Sequence, residues 1–124
     1  MECTDKKCNT HGSLRVHGRR FVGTVTEAKA QHTASVQWER QKHIAKYERY
    51  ERRRTKVKAH NPPCIDAKKG DKVTICECKP LSKTKHFVIL EKLGTNQEFM
   101  HKQEHKDVVQ RAKVEEKKTQ EQQA

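Results

Sequence analysis

The stretch from Gly70 to Leu93, GDKVTICECKPLSKTKHFVILEKL, constrains the fold of this chain most. It spells out a turn, a strand, a rigid elbow and a second strand. Gly70-Asp71 is turn chemistry, because Gly tolerates a positive φ and Asp bonds its own backbone. Val73, Ile75 and Glu77 alternate with Thr74, Cys76 and Cys78, the period-two pattern of a strand. Pro80 removes a backbone donor and stops the ladder. Phe87 to Leu90 then resumes as a buried run. Strands are thus predicted over 71–79 and 86–93. Between them, Lys79, Lys83 and Lys85 surround Ser82 and Thr84, charges and hydroxyls that suit phosphates.

Upstream, Leu14 and Val16 alternate, then Phe21, Gly23 and Val25, then Ala34, Val36 and Trp38. This predicts two strands within 13–40, with Ala28 to His32 as the turn. Gly18 and Gly23 mark bends or bulges, as small barrels require. Five or so short strands in about 80 residues point to a small all-β barrel. Leu81 is predicted to plug it, and Phe21, Trp38 and Phe87 to face inward. Periodicity alone does not separate an OB-fold from an SH3-like barrel.

The segment 40–60 is a basic arm. Arg40, Lys42, Lys46, Arg49, Arg52, Arg53, Arg54, Lys56 and Lys58 stand against Glu48 and Glu51, a net +7. Such a segment repels itself in isolation. Arginine grips phosphate in a bidentate way, and the interleaved Tyr47 and Tyr50 can stack on unpaired bases. His60 closes the arm, and Asn61-Pro62-Pro63 reads as a stiff, extended corner. Arg15, His17, Arg19 and Arg20 form a further basic cluster, the first three sharing a face if their strand is regular. Together with Lys79, Ser82, Lys83, Thr84 and Lys85 of the elbow, these residues are the candidate RNA contacts.

Charge and composition agree with that reading. The 124 residues suffice for one domain. They are 35% charged and only 31% hydrophobic, so the core is small and part of the chain is expected to order on a partner. The net charge of +12 suits an anionic polymer better than a small substrate. It is unevenly spread, because residues 1–93 hold 22 Lys/Arg against 10 Asp/Glu and residues 94–124 hold six of each. Phe99, Met100, Val108, Val109 and Ala112 give a faint apolar stripe in this neutral tail. The expectation there is a helix from about residue 98 that fades into disorder near Thr119. No apolar run approaches the ~20 residues that span a bilayer, so a cytoplasmic protein without membrane contact is expected. Three parts follow: a Cys/His hook over 1–12, a barrel domain over 13–93, and the tail over 94–124.

In a cytoplasmic chain five cysteines are more readily thiols or metal ligands than disulfides. Cys3, Cys8 and His11 have the short spacings of a zinc loop, with Cys64 after the proline pair as the fourth ligand of a Cys3His structural site. The alternative is unligated thiols. Cys76 and Cys78, two apart on a strand, read as small packing residues. His101, Glu104 and His105 match an HxxEH arrangement. No further ligand or cleft accompanies them, so they read as side chains of a solvated helix.

The motif G-D-x-V-x-I-x-E-x-K-P-L-S, from Gly70, closely resembles the signature of the S-seventeen family of small-subunit ribosomal proteins. KTKHFVILEKL, HGSLRVHGRRFVGTV (from His11) and KYERYERRRTKVKAHNPPCIDAK (from Lys46) are similar to its archaeal and eukaryotic branch, HNPPCIDAK and SKTKHFV favouring the archaeal side. The likeness covers roughly residues 8 to 93. It implies an OB-fold and a structural role without catalysis. It also implies early, direct binding to the 5′ part of a 16S-type ribosomal RNA, with the basic arm reaching into that RNA. Neighbouring small-subunit proteins are the other implied partners, the chain being a monomer within the ribosome with no small-molecule substrate. The chain departs from the pattern at His32, which stands at a usual lysine, at Asn9 after Cys8, where proline is frequent, and at Lys79, where arginine is common.

Two other function classes fit less well. A free single-stranded-RNA module of the cold-shock type needs several exposed aromatics on its strands. A zinc enzyme needs a nucleophile with a base and an apolar pocket.

Overall fold

The computed structural model describes residues 3–123. Five strands, β1 (Val16–Glu27), β2 (Thr33–Ile44), β3 (Arg49–His60), β4 (Asp71–Cys78) and β5 (Lys85–Thr95), precede one helix, α1 (Gln97–Gln123). The strands close into a barrel in the order β1-β2-β3-β5-β4. β3 and β5 run parallel, and the other pairs are antiparallel. This is the OB-fold that the resemblance implied.

One face of each strand supplies the core. Val25, Ala34, Val36, Ala59, Val73, Ile75 and Ile89 are fully buried there. Each such Val or Ile contributes roughly 1.5–3 kcal/mol by leaving water. Phe21 stacks on Trp38 at 4.9 Å between centroids and meets Phe87 edge-on at 6.2 Å. These three aromatics pack against the core, as their alternation predicted. Leu14, Cys78 and Val88 form a second buried cluster outside the barrel interior. Leu81 packs half-buried against this second cluster and does not plug the barrel. Cys76 and Cys78 are buried packing residues, and none of the five cysteines is in a disulfide.

Several local expectations are corrected. Most of the basic arm is the outer half of a β2–β3 hairpin, in unbroken register from Thr33–His60 to Ile44–Arg49. Cross-strand hydrogen bonds outweigh the self-repulsion read from composition. The proline corner is a tight turn, because the amides of Ile65 and Asp66 both donate to the Pro62 carbonyl at 3.1 and 3.0 Å. β1 is irregular: Val16 faces Cys78 while Arg20 faces Cys76, so the intervening residues bulge. Gly18 supplies the bulge with a φ of +92°, and Arg15, His17 and Arg19 do not share a regular strand face.

α1 runs past Thr119 to Gln123, longer than its weak stripe suggested. No Gly or Pro interrupts it, and Glu, Lys, Gln and Ala are strong helix formers. Asn96 caps it, accepting from the Phe99 amide at 3.2 Å and donating to Thr24 Oγ1 of β1 at 3.0 Å. Met100 lies over Gly70, where any Cβ would collide with its sulfur.

Candidate functional site

The strand register brings the basic elements to one end of the barrel. β1 and β2 pair antiparallel, with Thr24 opposite Gln37, so the start of β1 lies on the side toward which β2 climbs to its tip. Val16 faces Cys78, which puts Arg15 level with Lys79 and the elbow. β3 and β5 run parallel with Lys58 beside Lys85, so the elbow before β5 and the hairpin tip before Lys58 project the same way. Arg15, His17, Arg19 and Arg20, the elbow, and the hairpin therefore emerge together.

Beyond Trp38 the hairpin extends about 20 Å, at ~3.4 Å per residue. One of its faces pairs Arg40 with Arg53, Lys42 with Glu51 and Ile44 with Arg49. The other pairs Glu39 with Arg54, Gln41 with Arg52 and His43 with Tyr50. Like charges directly opposite each other, as at Arg40 and Arg53, weaken a hairpin. Arg53 is bonded to Glu51, and Arg54 approaches Glu39 at 3.9 Å. Arg40, Lys42, Arg49 and Arg52 have no carboxylate partner among the described residues. Tyr47 and Tyr50 are 65% and 68% exposed, Lys46 lies 5.5 Å from the Tyr47 ring centre, and His43 packs 5.2 Å from Tyr50. Toward the barrel, Lys56 pairs with Glu27 at 3.5 Å and Lys58 is exposed.

The elbow is built by Ser82. Its Oγ accepts from the amides of Thr84 and Lys85 at 3.4 and 3.1 Å, and the Leu81 amide donates to the Lys85 carbonyl at 2.9 Å. The Ser82 hydroxyl proton stays available to an acceptor. Lys79, Lys83 and Thr84 are exposed. Lys85 turns inward and donates to Thr33 Oγ1 at 3.2 Å, and burial with the nearby Lys7 lowers its pKa.

His60 departs from the expected set. It is 2% exposed, and its Nε2 lies 2.5 Å from Asp5 Oδ2. Burial outweighs Asp5 and lowers its pKa, so at neutral pH an uncharged ring donates to the carboxylate. The imidazole fastens the N-terminal segment to the end of β3 and offers no free surface. That segment in turn brings Lys6 and Lys7 beside Lys79 and Pro80 in a small cleft. These two lysines were not singled out from the sequence. Their position between two candidate metal ligands was the available signal.

The four hook residues converge. The ligand atoms of Cys3, Cys8, His11 and Cys64 all lie within 4.8 Å of one another. Cys8 Sγ is 3.6 Å from both His11 Nδ1 and Cys64 Sγ. A tetrahedral zinc with bonds of about 2.3 Å to sulfur and 2.0–2.1 Å to nitrogen has S···S edges of about 3.8 Å and S···N edges of about 3.6 Å. The residues fit such an ion. Burial raises the Cys8 thiol, but the amides of His11 and Thr10 and the His11 ring outweigh it and bring its pKa to about 6. Cys64 is pushed up to about 11 by burial and by its neighbours Cys8 and Cys3. Thiols crowded this way repel once ionised, and a divalent cation removes that conflict. By contrast, His101 lies 3.7 Å from Glu104 on an exposed helix face, and among the described residues no third ligand atom gathers with them.

Comparison with known proteins follows the same lines. The family model described as "Ribosomal protein S17" matches residues 23–91, from mid-β1 to β5. The chain is 56% identical over 94 residues to the "Small ribosomal subunit protein uS17" of Methanocaldococcus jannaschii, covering 76% of this chain and 80% of that protein. It is 53% identical over 97 residues to that of Methanopyrus kandleri, covering 78% and 82%. It is likewise 53% identical over 90 residues to that of Methanosphaera stadtmanae, covering 73% and 85%. With most of the barrel and the whole of the elbow and the hairpin falling within the matched region, the chain belongs to the ribosomal protein S17 family, in its archaeal branch.

Proposed function

We propose that this protein binds small-subunit ribosomal RNA directly and helps that RNA fold during assembly, acting in the cytoplasm beside neighbouring small-subunit proteins. Family membership makes it a structural protein of the small ribosomal subunit and not an enzyme. The observation that carries the RNA reading is the convergence of hairpin, elbow and β1 bulge on one end of the barrel, with Arg40 opposite Arg53. The mechanism is charge neutralisation plus shape fit, without turnover. The barrel is a rigid platform, the hairpin carries guanidinium groups to phosphates, and Tyr47 and Tyr50 offer faces for unpaired bases. A cold-shock-type surface is disfavoured, because Phe21, Trp38 and Phe87 pack on one another and on the core.

The test is co-sedimentation with small subunits, followed by crosslinking and mapping of the attached peptides. Retention at moderate salt with crosslinks at 46–58 and 79–85 supports the reading. A protein that leaves the subunit at low salt without crosslinks there removes it.

The hook is proposed to hold one structural zinc through Cys3, Cys8, His11 and Cys64. The ion would tie the N-terminal segment to the loop after β3. Elemental analysis of the purified protein decides the point. One zinc per chain, lost in Cys8→Ser, supports it, and metal-free protein with intact thiols rules it out.

A further inference from the structure

We propose that the groove between α1 and the outer face of the β1–β2–β3 sheet is a second seat for the ribosomal RNA backbone, in addition to the hairpin and elbow. The proposal rests on the RNA-binding reading above and extends it to residues outside the family-matched segment. The groove has a volume of about 1010 Å3. Its floor is made by outward-facing strand residues such as Thr24 and Gln37. One wall is α1, with Lys102 and Lys106, and the other is the loop carrying Lys68 and Lys69, with Lys72 beside it.

Charge decides what the groove holds. Eight Lys and Arg line it against four carboxylates. Two of those carboxylates, Glu27 and Glu39, are engaged by Lys56 and Arg54. Apart from Arg54, none of the groove cations has an ion-pair partner among the described residues. Cations facing one another across a cleft raise the potential there and attract a polyanion. Most are lysines, which meet phosphates as point charges and do not read bases.

The helix extends this wall. At 100° per residue, Lys102, Lys106, Lys113 and Lys117 fall within about 60° of one another, over about 22 Å of rise. No Asp or Glu of α1 falls inside that arc. A helix with no net charge thus carries a lysine stripe aligned with the groove. At its other side the groove reaches Arg52 and Arg54, on the outer face of the hairpin. An RNA strand held by the hairpin can continue between helix and sheet without leaving positive surface.

The test uses the full chain, purified small-subunit ribosomal RNA and a potassium chloride series. Lys102→Gln with Lys106→Gln removes the helix side, and Lys68→Gln, Lys69→Gln and Lys72→Gln remove the loop side. All five side chains are exposed, so thermal melts should match the wild type. The expected result is a log–log salt slope about two units shallower for the helix variant and about three for the loop variant, one unit per lost phosphate contact. Wild-type affinity and slope in both variants overturn the proposal. So does unchanged RNA affinity with lost incorporation into complete subunits, which assigns the groove to a protein neighbour. If the wild type itself fails to bind the RNA, the underlying reading fails instead, a distinguishable outcome.

Discussion

Asp71 is a carboxylate taken almost wholly out of water and kept charged. It is 5% exposed. Burial alone would raise its pKa, but the Lys68 amide at 2.8 Å and Lys92 Nζ at 2.9 Å outweigh that and hold it below 3.8. The charged form is therefore favoured by folding. Its stabilisation is complete above the unfolded carboxylate value near pH 4 and is lost as pH falls through the lower folded value. Asp71→Asn is expected to cost about 1–3 kcal/mol at pH 7 by leaving Lys92 and the Lys68 amide underserved. Urea melts at pH 7 and near pH 3 check this, and the gap between variant and wild type should shrink at the acid end. A gap that persists unchanged would show that Asp71 acts through shape and not through charge. At the same scale, His60 illustrates what sequence could not tell. Its neighbours are nine cations, so it read as one more RNA contact. Its burial depends on Asp5, 55 positions away.

The strands and the helix differ in how openly they were written. β4 and β5 were legible because Gly70-Asp71 and Pro80 bracket clean alternation, and the turn between β1 and β2 fell where Ala28 to His32 suggested. β3 was hidden, since over Arg49–Arg54 both faces are polar and exposed or half-exposed, and only Val57 and Ala59 mark an inward side. A strand whose outer half packs on nothing leaves no periodicity to read. The β1 bulge was signalled by Gly18, but its effect on Arg15, His17 and Arg19 needed the partner strand. The convergence of the hook was legible in chemistry, because the short spacing of Cys3, Cys8 and His11 lets one loop bring several ligand atoms together. The end of α1 was not, since fading and continuing helices share the same Glu, Lys and Gln. Two predictions belong here. Asn96→Ala removes the cap and the bond to Thr24, and should cost about 1 kcal/mol. Hydrogen exchange should then accelerate at the start of α1 while β1–β5 stay protected. If the hook holds the proposed zinc, a chelator should loosen it and speed tryptic cleavage after the exposed Lys6 and Lys7, and added zinc should slow that cleavage again. Equal cleavage with and without zinc would contradict the metal tie.

For the whole molecule the governing quantity is a net charge of +12 on a small core. The hairpin places Arg40 opposite Arg53, a like-charge pair that the exposed Arg53–Glu51 ion pair offsets only in part. Arg40→Gln with Arg53→Gln should therefore leave the free protein as stable as the wild type, or more stable by about 0.2–1 kcal/mol, while weakening RNA binding. Few structural substitutions behave this way, so the pairing of outcomes is diagnostic. The most direct measurement is the affinity of wild type and this double variant for purified small-subunit ribosomal RNA, from about 50 to 200 mM potassium chloride. The wild type is predicted to give a log–log slope on the order of −5 to −9, and the variant a slope about two units shallower with no loss of melting temperature. A wild-type slope near zero, or a variant indistinguishable from it, would contradict the claim that the hairpin carries this protein's grip on RNA.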